Sequence, residues 1–358
     1  MKYNEYRRHS RTVRVGDLAI GGTSLVTVQS MTNTDPHDFN ATLAQIHALQ
    51  SAGCDIVRMS LPDMESVEIL RRVKASEITV PIVADIHFDY KIALAAADAG
   101  VDKIRINPQN IGGRDKISQV VSACRERNIP IRIGVNSGSV QSDLLKKYGG
   151  PTAEALAESA LCNARLLEEL DFFDTVISVK SSDTRTMIRA NRIIAEKTDY
   201  PIHLGVTEAG FGISALTKSA AGIGALLSEG IGDTVRVSLT EDPCREIDAA
   251  RSILSALSVA EKPGLEIVSC PTCGRTKIDL ISLATRFESE ARRRGIHEKN
   301  IKVALMGCAV NGPGEAREAD VGIAGGDGCA LLFKKGVPIE KIDEKFVIDR
   351  LIAEILSM

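Results

Sequence analysis

The chain has 358 residues, 44% of them hydrophobic and 25% charged, with a formal net charge of −3. That length exceeds what a single core usually fills and predicts one large domain with a smaller one beside it. The slightly acidic balance gives no basis for a nucleic-acid partner or an anionic membrane surface. No apolar run approaches the roughly 20 residues of a membrane span. The N-terminal stretch MKYNEYRRHSRTVRVG is basic but lacks the apolar segment and small-residue cleavage site of a secretory signal, so the expectation is a cytoplasmic protein.

Eight strand candidates follow in order, separated by helical stretches: LVTVQS (25–30), AGCDIVRMS (52–60), PIVADIH (81–87), AGVDKIRIN (99–107), IPIRIGVN (129–136), DTVISVKSS (174–182), PIHLGVTE (201–208) and EGIGDTVRVS (229–238). Three of these share a plan. A helix ends at Gly, an Asp follows, and a strand then carries Arg in its middle and Ser or Asn at its end. The helix before the first repeat places Leu43, Ile46 and Leu49 on one face. Strands alternating with helices pair in parallel, and eight such units predict an α/β fold with an N-terminal (β/α)8 TIM barrel. A doubly wound sheet would carry a Gly-rich phosphate turn after its first strand, and no G-x-G-x-x-G stands there.

Alternation along each strand puts Arg58 with Ser60, Arg105 with Asn107, Arg132 with Asn136, and Arg236 with Ser238 on shared faces. A buried strand has no water for a guanidinium, so these arginines are expected near strand ends, at the mouth where barrel active sites gather. Lys180, His203, Asp85, His87 and Glu208 are also expected at or near strand ends. Asp85 and Glu208 are the acids available to pair with this group. Five cations (Arg58, Arg105, Arg132, Lys180, Arg236) outnumber them, which predicts an anionic ligand carrying more than one phosphate. His87 taken alone reads more often as a satisfied structural histidine.

Past a Pro-Gly linker (259–264) the composition changes, giving domains at 1–258 and 265–358. VSCPTCGRT supplies Cys270-x-x-Cys273, and after a helical stretch the strand IKVALMG delivers Cys308, followed by the turn-forming NGPG and Glu315. Cys54, Cys124, Cys162 and Cys244 are scattered singly and read as reduced thiols, and Cys329 as a core residue. Three readings of the thiol group compete. Structural zinc normally takes two Cys/His pairs. A thioredoxin-like pair has no use for a third cysteine. A [4Fe–4S] cluster on three thiolates, with Glu315 as the nearest candidate for a fourth, more labile ligand, fits best.

The runs SCPTCGRT, MGCAVNGPGEA, HLGVTEAG, RVSLTEDP and RIGVNSGS resemble those of the 4-hydroxy-3-methylbut-2-enyl diphosphate synthases over nearly the whole chain, in the form without an inserted domain. One departure is Gln109 in RINPQNIGG, where that family usually has Gly. The resemblance implies reductive ring opening and dehydration of 2-C-methyl-D-erythritol 2,4-cyclodiphosphate, an isoprenoid precursor step. It implies a smaller α+β iron–sulfur domain whose [4Fe–4S] ligands are Cys270, Cys273, Cys308 and Glu315. The diphosphate would be held by Arg58, Arg105, Arg132, Lys180 and Arg236, helped by Asn136, Ser139 and His203. Glu208 would be the acid/base, with Asp85 and His87 orienting hydroxyls or relaying protons. Reduced ferredoxin or flavodoxin would supply electrons, and the enzyme would be a homodimer; in that family one subunit's cluster domain caps the other's barrel, and the linker here permits capping in cis or in trans. The competing reading is a non-redox phosphate-binding barrel of the dihydropteroate synthase kind with a structural zinc module.

Overall fold

The computed structural model describes residues 3–259, 264–308 and 316–358. The chain divides into two compact units, Met1–Ala260 and Glu261–Met358. Most of the predicted linker, residues 260–263, lies outside the described residues, while Val259 is packed into the core of the first unit.

The first unit is a parallel eight-stranded barrel. Its strands are β3 (Thr27–Met31), β4 (Ile56–Ser60), β5 (Ile82–Asp85), β6 (Lys103–Ile106), β7 (Ile131–Asn136), β8 (Thr175–Lys180), β9 (His203–Leu204) and β10 (Thr234–Val235). They lie in the order β8-β7-β6-β5-β4-β3-β10-β9. A parallel bridge between Ile177 and Ile202 joins the two ends and closes the ring. Each of the eight expected segments contains one strand. The last two pair over only two residues each, and Gly205 beyond Leu204 comes so near its neighbour that a Cβ there would stand 2.6 Å from the Arg236 carbonyl oxygen.

The repeated Gly-Asp-strand-Arg theme has a local cause. Gly53, Gly100 and Gly230 all take positive φ (86°, 79° and 76°), the left-handed exit from a helix that a side chain disfavours. The aspartates then stitch neighbouring strands at their N-terminal ends. Asp55 accepts from the Val28 N–H at 2.6 Å, Asp102 from Ile82 at 2.7 Å, and Asp233 from Ile202 at 2.7 Å. Each carboxylate is balanced by a cation: Arg251, Lys74 and Arg7, respectively. Three residues beyond each Asp stands Arg58, Arg105 or Arg236, so the spacing brings the three arginines to a common height.

The helix before the first repeat runs Phe39–Ser51, capped by Asp38, which accepts from the Ala41 N–H. Its buried stripe is Thr42, Ile46 and Leu49; Leu43, expected on that face, is only partly buried. Strands β1 (Val13–Val15) and β2 (Leu18–Ile20) form a hairpin that the βα alternation does not predict. Val15 and Ile20 pack against Ile56 and Val83, near the starts of β4 and β5, and so seal the barrel from beneath.

The second unit is a five-stranded sheet in the order β11 (Leu265–Ser269), β12 (Ile301–Met306), β13 (Val321–Gly326), β14 (Cys329–Lys334) and β15 (Val337–Asp343). The first three strands are parallel and the last two antiparallel. Helices Leu280–Arg293 and Val347–Leu356 share a core with the sheet through Leu283, Phe287, Leu305, Ile323, Leu351 and Ile355. Ala304, Met306, Ala324 and Phe333 form a second, smaller cluster that Cys270 packs against. Among the described residues no helix is long and apolar enough to cross a membrane.

Ile20→Ala is expected to destabilise the protein by about 2–5 kcal/mol, since it opens a cavity in a fully buried contact. Urea unfolding of both proteins measures the difference.

Candidate active site in the barrel mouth

Side chains from seven strands, from the segment after the eighth and from one helix meet inside the barrel. Asp85, the last residue of β5, is buried and lies 3.1 Å from Arg105 Nη1, 3.8 Å from Arg58 Nε and 3.5 Å from His87 Nε2. Burial alone would raise its pKa, but Arg58, His87 and Arg105 outweigh that and hold the carboxyl well below the usual range. Burial lowers Arg58 to about 10. Arg58 also donates from Nε (3.2 Å) and Nη2 (2.8 Å) to the Met31 sulfur at the end of β3. Arg236, just past β10, forms a two-pronged pair with Glu246, Nε and Nη2 each at 3.0 Å.

Arg132 departs from the expected position. It is the second residue of β7, 1% exposed, and lies inside the barrel rather than at the strand end. Its Nη1 donates to Gln29 Oε1 at 3.3 Å, on the strand opposite, so the guanidinium spans the interior below the mouth. The expectation failed because alternation fixes which face a residue takes and not its height, and because Gln29 supplies an acceptor where no water is needed. His203 departs in the same way. It opens β9, is fully buried, and lies 3.3 Å through Nδ1 from Thr234 Oγ1. Burial, with Arg132, Lys180 and Lys103 nearby, pushes its pKa well down.

Lys180 closes β8 and Asn136 closes β7, both at the mouth as expected. Among the described residues Lys180 has no ion-pair or hydrogen-bond partner. Burial, then Arg236, Arg58 and Arg132, lower its pKa well below the ordinary lysine range. Ser139 is spent on its own loop: its hydroxyl accepts from the Asn136 N–H at 3.0 Å and donates to the Asn136 carbonyl at 3.1 Å. Glu208 corrects another expectation, for it is exposed and pairs with no cation among the described residues. It follows β9 with φ of 53°, a left-handed conformation unusual for a glutamate and typical of functional loops. Gln109 reaches away to Asn163 Oδ1 at 3.3 Å.

Two glycines make room for these cations. A Cβ on Gly134 would lie 2.3 Å from Arg105 Nε, and one on Gly205 2.8 Å from Lys180 Nζ. Three participants escaped sequence reasoning: Glu246, Gln29 and Lys103. Lys103 is fully buried two residues before Arg105, and its Nζ has no hydrogen-bond partner. Burial, then Arg132 and Arg58, depress its pKa strongly. The shared face of Lys103 and Arg105 was the available signal.

In the second unit, Cys270 directly follows β11 and Cys308 lies two residues past β12, its parallel neighbour, so both leave the sheet at one edge. The Gly307 N–H donates to Cys270 Sγ at 3.2 Å. The loop after Cys270 returns to the same point, where the Lys277 N–H donates to the Gly307 carbonyl at 2.9 Å. Cys273 lies on this loop, exposed, with the N–H of Arg275 drawing its thiol pKa down. Soft thiol donors on two loops joined at Gly307 suit a soft metal centre. Among the described residues no three His, Cys, Asp or Glu side chains gather at metal-binding distance, and Glu315 lies outside those residues. Cys54 and Cys124 are buried, with thiols pushed up to about 12, and Cys329 is half-buried at the start of β14 rather than in the core.

A cation-rich barrel mouth and a thiol-bearing second unit define a two-domain barrel protein of enzyme type. The GcpE TIM-barrel domain matches residues 10–251 and the GcpE protein C-terminal domain residues 266–357. The chain belongs to the GcpE family. It is 56% identical over 346 residues to 4-hydroxy-3-methylbut-2-en-1-yl diphosphate synthase (flavodoxin) of Clostridium perfringens, covering 97% of this chain and 98% of that one. It is 52% identical to the protein of the same name from Fusobacterium nucleatum, covering 96% of each. Among solved structures, dihydropteroate synthase of Yersinia pestis matches with a TM-score of 0.50 and 11% identity, covering 70% of this chain and 99% of that one. That likeness is one of fold.

Two outcomes follow from the charge balance. Lys180→Met should raise the stability of the ligand-free protein by about 0.5–2 kcal/mol, because it removes a desolvated amine that has no hydrogen-bond or ion-pair partner among the described residues. The same change should weaken inorganic pyrophosphate binding about tenfold or more, read by calorimetry. Asp85→Asn should cost about 3–5 kcal/mol at neutral pH by stranding two arginines. Because the folded pKa of Asp85 is depressed, its contribution is complete above about pH 4 and fades as pH falls further. The stability gap between wild type and Asp85→Asn should therefore narrow in acid.

Proposed function

We propose that this chain catalyses the reaction for which its relatives are named. It would convert 2-C-methyl-D-erythritol 2,4-cyclodiphosphate to (E)-4-hydroxy-3-methylbut-2-enyl diphosphate by reductive ring opening and dehydration, in isoprenoid biosynthesis. Two electrons and their accompanying protons enter, and one water leaves. The observation that carries the reading is the surplus of cations over carboxylates: Arg58, Arg105, Lys180 and Arg236 around the mouth and Arg132 below it, against Asp85 and Glu246. A cyclic diphosphate supplies the missing negative charge, and guanidinium forks suit its phosphate oxygens.

In this reading Arg58, Arg105, Arg236 and Lys180 grip the diphosphate from the rim, while Arg132 and His203 form the floor beneath it. Asn136 and Ser139 shape the loop that borders the phosphates. Asp85 keeps Arg58 and Arg105 in place and, with His87, orients the substrate hydroxyls. Glu208, held at the rim in a strained conformation and free of any ion pair among the described residues, donates the proton that releases water.

Cys270, Cys273 and Cys308, with Glu315, would hold a [4Fe–4S] cluster, and the thiol donor set on one sheet edge supports that assignment. When bound, the cluster supplies single electrons and a Lewis-acidic iron. Reduced flavodoxin, as in the relatives' names, is the proposed electron donor, with ferredoxin the alternative. The homodimer and the cytoplasmic setting belong to the same proposal.

Anaerobic purification followed by iron, sulfide and zinc analysis tests the cofactor. About four irons per chain, a brown colour and turnover of the cyclodiphosphate with a chemical reductant are expected. A colourless protein with stoichiometric zinc and no labile sulfide would establish the non-redox alternative instead. Glu208→Gln should keep its iron and its affinity for pyrophosphate while kcat falls by about 10²–10⁴. Unchanged kcat would remove Glu208 from proton transfer.

A further inference from the structure

Glu246 occupies the first turn of helix Pro243–Ala256, after Asp242 and Pro243 open it. A helix start favours a carboxylate, yet this one turns into the barrel and is 3% exposed. Each of its oxygens accepts two hydrogen bonds. Oε2 takes Arg236 Nε at 3.0 Å and the Ser30 hydroxyl at 2.8 Å. Oε1 takes Arg236 Nη2 at 3.0 Å and the Leu239 N–H at 3.1 Å. The carboxylate is thereby fixed from β3, from the segment after β10 and from its own helix.

That grip uses one whole edge of the Arg236 guanidinium and leaves Nη1 uncommitted. Nη1 lies 3.8 Å from the Met31 sulfur, the same atom that Arg58 approaches at 2.8 and 3.2 Å. A thioether is a weak acceptor and carries no charge. Met31 therefore aligns the two guanidinium groups without neutralising either.

We infer that Glu246 is a positioning residue for the anion site: it locks Arg236 so that Nη1 and Arg58 form a paired clamp on a single phosphate group. The inference rests on the diphosphate reading above. It differs from mere neutralisation of a buried arginine, and the two roles predict opposite signs. If Glu246 only offsets charge, removing its charge makes the mouth more positive and strengthens anion binding. If it positions Arg236, the same change frees the guanidinium to rotate and weakens binding.

The test is calorimetric titration of inorganic pyrophosphate into the full chain, wild type and Glu246→Gln, at one fixed salt concentration, with thermal melts of each. A Glu246→Gln protein that melts cooperatively and binds pyrophosphate about tenfold or more weakly supports the clamp. In turnover of the cyclodiphosphate, KM should rise by more than kcat falls. Equal or tighter pyrophosphate binding overturns it. Glu246→Asp retains the charge but withdraws it by one methylene, and decides the matter if the Gln variant fails to fold. Weakened binding in Glu246→Asp upholds positioning, whereas wild-type affinity reduces Glu246 to a counter-charge. Failure of wild type itself to bind pyrophosphate would overturn the diphosphate reading, and the clamp with it.

Discussion

Desolvated positive charge is the constraint around which the barrel is organised. Asp85 serves Arg58 and Arg105, and Glu246 serves Arg236, but Arg132, Lys103 and Lys180 have no carboxylate partner among the described residues. Each unpaired buried ion costs several kcal/mol. The cationic residues respond according to their chemistry. Lys103, Lys180 and His203 are driven toward their neutral forms, which relieves part of the cost. Arginine has no such escape at accessible pH, so Arg58, Arg105 and Arg236 are the ones given carboxylates, and Arg132 is given the Gln29 carbonyl. What remains is an excess of desolvated positive charge, held at the expense of stability.

Accommodating that field inside a parallel barrel requires space and a closed base. Gly134 and Gly205 provide the space, since a Cβ at either would collide with the Arg105 or Lys180 side chain. The hairpin of β1 and β2 provides the base, placing Val15 and Ile20 under Ile56 and Val83. Arg132, reaching from β7 to Gln29 on β3, then lies across the interior above that apolar base. The barrel thus has an apolar plug beneath β4 and β5, while Arg58, Asp85, Arg105 and Lys180 stand toward the C-terminal ends of their strands.

The strand segments and their order were legible because the alternation of βα units and the Gly caps with the Asp that follows are local signals. The inward face of Arg58, Arg105, Arg132 and Arg236 was legible for the same reason. Height within the barrel was not, since it depends on register between strands distant in sequence; hence Arg132 and His203 lie deeper than expected. Glu246 was invisible for a different reason. It belongs to a helix, where a glutamate in the first turn has an adequate explanation in the helix dipole, and only the packing of that helix against β3 reveals that it faces the arginines. Glu208 illustrates the converse: its identity suggested a counter-ion, but a φ of 53° carries it out to the solvent.

Strand direction explains how thiols from remote parts of the chain come to one edge of the second sheet. Cys270 and Cys308 each follow a strand, and β11 and β12 are parallel, so both residues emerge at the same end. Had the two strands paired antiparallel, as β13 and β14 do, the cysteines would stand at opposite edges, a full strand length apart. Parallel pairing needs a crossover, which helix Leu280–Arg293 supplies between the two cysteine motifs. The same logic governs the barrel, where Asp85, Asn136 and Lys180 gather because parallel strands end together. In both units, then, chemistry collects at the C-terminal ends of parallel strands, where the backbone leaves its ladder and side chains and N–H groups become free to meet a ligand.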